Sequence, residues 1–325
     1  MTNIINAEFR RLFKNKFFYI ALVLSFLVPF AEMTEEYLYY KRQNRGGELG
    51  MQYDYNSMMN LVIFPFLIAV FVSLFIGKDF HDGTIRNKIA VGNKRGVIYF
   101  SELAVCSTAS VLFQAVGFFS LYVFANAYFH DNILLKEREE LRGAFVYSLP
   151  ELLKFQLFGM IIILGYTSLC LLVAVTLSSR TRAVIVSLVL VVISISFGES
   201  VQSSVYPIET EMEAYDYYFP EQEYNLYEMT EEEQEQHWKE VEEKEKLVQV
   251  YVEEHRGSTL SGVQKTIYLV CIDTLAYCQI LQVDYNILFE SGLPSKIPTF
   301  VLYDIISFAV FNVIGVLIFS KKDLK

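Results

Sequence analysis

Cysteine and tryptophan are nearly missing from this chain, with four of the first and one of the second in 325 residues. Four cysteines are too few for a disulfide framework. Cys106 and Cys170 fall inside apolar runs and read as small core side chains. Cys271 and Cys278 sit seven apart in one helical stretch, where two turns of rise hold them about 10 Å apart, too far to bridge. The four histidines, His81, His130, His237 and His255, are scattered and assemble no metal-ligand spacing. The chain also lacks His-Glu-x-x-His, Gly-x-Ser-x-Gly, Cys-x-x-Cys and Gly-x-x-x-x-Gly-Lys-Ser/Thr. The nearest phosphate-loop echo, Gly262-Val-Gln-Lys265-Thr266, lacks the required glycine spacing. The expectation is therefore a protein with no catalytic, cofactor-binding or metal site of its own.

What is abundant is apolar surface, with 53% hydrophobic and 15% aromatic residues. Crossing roughly 30 Å of hydrocarbon takes about 20 mostly apolar residues. Six segments meet that length: Lys16 to about Glu32, Ser57 to Ile76, Leu103 to Tyr128, Phe155 to Leu177, Ala183 to Phe197 and Thr299 to Phe319. The fourth and fifth are joined only by Ser178-Ser-Arg-Thr-Arg182, which makes them an antiparallel pair. The fold class is an all-α integral membrane protein of six spans. Before the first span, Ile5, Phe9, Leu12 and Phe13 share one helical side, and Glu8, Arg10, Arg11 and Lys14 another. That pattern describes a helix lying in the membrane interface. No small-residue cleavage site follows the first apolar run, so it is read as retained.

Lysine and arginine are held on the cytoplasmic side during insertion. The N-terminal segment (Arg10, Arg11, Lys14, Lys16), the loop after the second span (Lys78, Arg86, Lys88, Lys94, Arg95), Arg180 with Arg182, and the tail (Lys321, Lys322, Lys325) hold fourteen basic residues. Only Glu8, Asp79, Asp82, Glu102 and Asp323 oppose them, while the rest of the chain, mostly the other loops, carries 13 basic and 32 acidic residues. Both termini are therefore expected in the cytoplasm, and the net charge of −10 is the sum of two opposite surfaces. It carries no implication of nucleic acid.

The domain organisation expected is residues 1–198 as the interfacial helix and first five spans, 199–298 as an acidic, mostly helical extracellular insert, and 299–325 as the last span and tail. Within the insert, Glu209 to Tyr227 reads as irregular. Thr230-Glu-Glu-Glu233 matches a capping box opening a long charged helix that ends at Gly257, and a second helical stretch runs from Leu260 to Leu281. The acidity reads either as a solvated face or as a collar for cationic cargo.

Polar groups within the spans are the remaining functional candidates, because an ionisable group in hydrocarbon is turned toward the bundle interior. Asp304 in the last span is the foremost. Gln114 and Asn312 lie deeper and suit interhelical hydrogen bonds as well as a translocation path.

The loop after the second span reads Gly77-Lys-Asp-Phe-His-Asp-Gly-Thr-Ile-Arg-Asn-Lys88, then Ile-Ala-Val-Gly-Asn-Lys-Arg-Gly96. It resembles the permease subunits of the type-2 ABC exporters, the group that includes bacitracin, lantibiotic and multidrug export systems. In them an acidic residue precedes Gly-Thr, a short helix follows, and a basic pair leads into the third span. The corresponding positions are Asp82, Gly83-Thr84, Ile85 to Val91 and Lys94-Arg95, and the N-terminal helix, six spans and basic ending extend the likeness over most of the chain. Asp82 or Thr84 is expected to cap the short helix, with Gly83 permitting the turn and Ile85 and Ile89 sharing a face.

The resemblance implies an ATP-driven exporter of bacterial plasma-membrane type, with no enzyme activity on this chain. Two copies of a separate ATPase subunit would hold ATP and Mg. A second permease copy, in a homodimer or a heterodimer, would complete a path for a hydrophobic or amphipathic cargo, a peptide foremost. Asp79, Phe80, His81, Asp82, Gly83, Thr84, Ile85, Arg86, Asn87 and Lys88 would then form the coupling segment gripped by the ATPase. A rival reading from the acidic insert is a membrane sensor or immunity protein that binds a cationic peptide without transport.

Overall fold

A computed structural model describes residues 2–43, 50–128, 149–207, 210, 213–214, 217–219, 231–289 and 297–322. Its elements are α1 (Thr2–Lys14), α2 (Lys16–Gln43), α3 (Gly50–His81), α4 (Thr84–Ala90), α5 (Arg95–Tyr128), α6 (Leu149–Leu177), α7 (Arg180–Val205), α8 (Glu231–Glu254), α9 (Gly262–Thr274), α10 (Ala276–Phe289) and α11 (Ile297–Lys321). No strand occurs among the described residues. Six of these helices, α2, α3, α5, α6, α7 and α11, are long and apolar enough to cross a membrane, and the protein is all-α and integral to the membrane.

One compact unit comprises Met1–Ile195 with Gln282–Lys325. Asn15 separates α1 from α2, its side-chain oxygen accepting the Phe17 amide at 2.9 Å. Such a cap satisfies one of the donors orphaned at a helix start. The bundle's centre is aromatic: Phe71 of α3 meets Phe113 of α5 edge-on at 5.0 Å, and Phe18 of α2 lies 5.8 Å from Phe113. Gly117 of α5 is required beside them, because a Cβ there would strike the Phe64 ring.

Small polar groups fasten the helices, as expected where lipid offers no hydrophobic drive for association. Ser73 of α3 bonds Ser187 of α7 at 3.1 Å, and Thr167 of α6 bonds Ser110 of α5 at 2.8 Å. The α6–α7 link is shorter than the sequence implies. It is Ser178 and Ser179 alone, with Ser178 in the left-handed region at φ 52°, and Arg180 already opens α7.

The second compact unit is Ser196–Leu281. α7 runs eight residues beyond its expected end at Phe197, because Val201 and Val205 are buried against Ile272 and Cys278. The stretch expected to be irregular, Glu209 to Tyr227, is helical at Thr210, Glu213, Ala214, Tyr217 and Tyr218. Ala214 packs there against Val248 and Val252 of α8, so tertiary burial overrides weak local propensity. Thr230 lies outside the described residues. The single helix expected from Leu260 to Leu281 breaks at Leu275, whose backbone is extended at φ −83° and ψ 124°. Cys271 and Cys278 consequently occupy different helices, and both are free thiols.

Candidate functional site

α4 is a seven-residue helix between two spans. Gly83 enters it in the left-handed conformation at φ 69°, and no side chain caps its start. The expected Asp82 or Thr84 cap is thus not made, because Gly83 itself occupies the cap position. Asp82 instead pairs with His81 at 3.0 Å, and that hydrogen bond, with the neighbouring Lys78 and Arg180, holds its carboxyl below the ordinary value. The helix ends at Ala90, Gly92 makes the turn beyond it at φ 93°, and the Asn93 side-chain amide donates to the Lys88 carbonyl at 2.9 Å. Ile85 is buried and Ile89 half-buried, as their shared face requires. Arg86 and Asn87 are exposed, and Val91 at the tip is 83% exposed.

α4 is rooted through Lys88. Its ammonium lies 2.6 Å from Glu8 of α1, 3.0 Å from Asp79 of α3 and 2.5 Å from Glu102 of α5. Arg11 of α1 contacts the same three carboxylates, at 3.0 Å from Glu8 and 2.7 Å from Glu102, and also pairs with Asp79. The three acids are each at most 3% exposed. Oxygens of Glu8, Asp79 and Glu102 lie within 4.8 Å of one another, a spacing a metal ion could use. Here two protein cations supply the countercharge. Three buried acids against two bases leave one excess negative charge, and burial followed by the nearby Glu102 carboxylate pushes Glu8 above its ordinary pKa. The Arg11 guanidinium also stacks 4.0 Å over the Phe75 ring. Four helices are thereby tied at one point by charge that is costly to separate.

The chain's end closes onto the same region. Arg95, at the start of α5, donates to the carbonyls of Phe319, Ser320 and Lys322 at 3.3, 2.9 and 2.5 Å, capping the C-terminus of α11 as a cation should. Lys322 in turn donates to the Thr176 carbonyl at 2.7 Å and to that of Val175, at the end of α6. Its ammonium also lies 5.2 Å from the centre of the Phe80 ring, and burial, then Arg182, lowers its pKa.

Of the expected coupling residues, the structure brings Asp79 and Lys88 together inside the charge cluster. It leaves His81, Asp82, Arg86 and Asn87 on the surface. Glu8, Arg11 and Glu102 are additions that no sequence motif marks, and Val91, the last residue of the expected short helix, is the exposed tip. The polar candidates within the spans separate into two kinds. Asn312 of α11 accepts from Tyr99 of α5 at 3.0 Å and donates to Ser168 of α6 at 2.9 Å. Gln114 donates to the Gln156 side chain at 3.3 Å. Both therefore join helices of this one chain. Asp304 is buried, and its Oδ2 has no hydrogen-bond partner among the described residues.

Six apolar spans with a short helix pinned between the second and third describe a multi-pass membrane subunit. The chain belongs to the ABC-2 family of transporter proteins, whose family model matches residues 4–198. It is accordingly a permease subunit of an ABC transporter, a transport subunit rather than a catalyst, with an ABC ATPase as the partner the family implies. No curated protein matches the chain.

Proposed function

We propose that this permease is the path-forming half of an ATP-driven exporter whose ATPase subunits dock on the Asp79–Lys88 segment from the cytoplasm. The observation that carries the reading is the mounting of α4. Its inner side is fixed by Lys88 in a four-helix charge cluster, while Asp82, Arg86, Asn87 and the apolar tip Val91 remain free to meet a partner. A rigid root with an exposed, mixed-charge face and one apolar knob is what a force-transmitting contact requires. ATP and Mg would be held by the partner, two copies of it serving two permease copies, most simply a homodimer. Both termini would lie in the bacterial cytoplasm, as the basic loops favour.

The cargo proposed is a hydrophobic or amphipathic peptide. Asp304 is the path residue of choice, since its unpartnered carboxylate oxygen is free to serve a cargo or a second subunit.

The test is copurification from native membranes of the charge-reversed double variant Asp82→Lys/Arg86→Glu at wild-type membrane levels. Docking at α4 predicts loss of the ATPase from the complex. A full complement of ATPase on that variant would move docking elsewhere, and a wild-type chain that brings down no ATPase would favour the sensor reading.

A further inference from the structure

α9 carries an apolar stripe that no part of the described structure covers. Val263 is 75% exposed, Ile267 49% and Val270 57%, and at spacings of four and three they share one line along the helix. Ile272, on the opposite side, is buried against Val201, Val205 and Cys278. The only charges on α9 are Lys265 and Asp273. Asp273 is held by Arg256 at 2.9 Å and the stripe itself is uncharged. The contrast with α8 is sharp, since ten of that helix's 24 residues are acidic.

The depth of this stripe can be read along α7, which is one unbroken helix from Arg180 to Val205. Tyr268 of α9 packs edge-on against Phe197 of α7 at 6.1 Å. Tyr277 and Cys278 of α10 press on Gly198, where a Cβ would come within 2.6 Å of the Tyr277 ring, and the Cys278 thiol donates to the Gly198 carbonyl at 3.6 Å. Phe197 lies 17 residues beyond Arg180, hence about 25 Å along the axis, less than the roughly 30 Å of the hydrocarbon core. A helix in contact with Phe197 therefore touches α7 before α7 has left the bilayer. The side chains that precede Phe197 on α7, namely Val189, Val192 and Ile193, are themselves at least half exposed and apolar, as a lipid-facing span requires.

We infer that α9 lies in the headgroup–acyl boundary of the leaflet that the C-terminal end of α7 crosses, with Val263, Ile267 and Val270 facing lipid. The occupant is the bilayer itself, while the acidic helix α8 is built for water. This inference stands apart from the identity of the cargo and of the ATPase.

The test uses the full chain reconstituted in vesicles of phosphatidylcholine with phosphatidylglycerol, in a Trp238→Phe background, since Trp238 is the only tryptophan. Single tryptophans are placed at Ile267 and Val270, and at the exposed Glu243 of α8 as a comparison. Ile267→Trp and Val270→Trp should emit to the blue, lose emission when the lipids are brominated near the glycerol end of their acyl chains, and resist aqueous iodide. Glu243→Trp should show the reverse. Iodide quenching with no bromine effect at Ile267 and Val270 would place α9 in water and overturn the inference. Protection from both quenchers would mean a protein partner covers the stripe and would overturn it equally.

Discussion

The ammonium of Lys88 stands 2.6 Å from a carboxylate oxygen of Glu8, joining the short helix α4 to the N-terminal helix α1. That pair is one edge of a cluster in which two cations serve three buried acids. Its arithmetic decides what each substitution should do.

Removing Lys88 leaves Glu8, Asp79 and Glu102 with Arg11 alone. Breaking a buried ion pair from one side costs about 3 kcal/mol. Lys88→Met should therefore lower the thermal midpoint of the detergent-purified protein clearly, and Lys88→Arg should retain most of it. The midpoint, read by circular dichroism, decides. An unchanged midpoint for Lys88→Met would mean that α4 is held by Ile85 alone.

The raised pKa of Glu8 fixes the sign of one pH effect. A carboxyl raised on folding binds a proton in the folded chain that the unfolded chain has already released. Its contribution to stability is then greatest below the unfolded value near 4.5 and falls as pH climbs from there through the folded pKa. Glu8→Gln should flatten that part of the stability profile. It should also be tolerated at neutral pH, because the neutral amide removes the excess negative charge that burial opposes. A profile unaltered by Glu8→Gln would contradict this.

Gly77 of α3 faces the backbone of α7, where a Cβ would come within 2.7 Å of the Arg180 Cα. Backbone cannot step aside as a flexible side chain can, so Gly77→Ala should cost roughly 1–3 kcal/mol. Gly96→Ala, with nothing within 4 Å of its Cβ position, should cost nothing measurable. The two midpoints compared in one detergent check this.

Asn312 clamps α5 and α6 to α11 through Tyr99 and Ser168. Asn312→Ala should destabilise by about 1 kcal/mol, the scale of interhelical hydrogen bonds in membranes. Tyr99→Phe combined with Asn312→Ala should add little more, since the bond it would break is already gone. Additive losses would show that the two side chains act separately.

The spans are legible in sequence because twenty apolar residues in a row have few other fates. The last turns of α7 are not, since Ser200, Gln202, Ser203 and Ser204 interrupt the apolar run. Only the burial of Val201 and Val205 against residues some seventy positions later continues the helix. The helix α1 itself is readable too, with one reversal. Glu8 looks solvent-facing beside Arg10 and Arg11, yet it is 2% exposed. Its partner Lys88 and the Asp79 and Glu102 carboxylates that share the same cations sit on other helices, and Arg11 meets Glu102 across 91 residues. No local period encodes such a meeting. Val91 closes the short helix that the motif marks, but its 83% exposure at the tip of α4 is set by the turn at Gly92 and by the neighbours α4 lacks there, which no local pattern encodes.

Docking of the ATPase on α4 is tested most directly by a photo-crosslinking side chain at Val91, activated in native membranes, with Val263 of α9 as the comparison position. Docking predicts one adduct at Val91 whose partner carries the Gly-x-x-x-x-Gly-Lys-Ser/Thr phosphate loop, and none of that partner at Val263. An adduct at Val91 without such a protein, or the same ATPase captured from Val263, would contradict it.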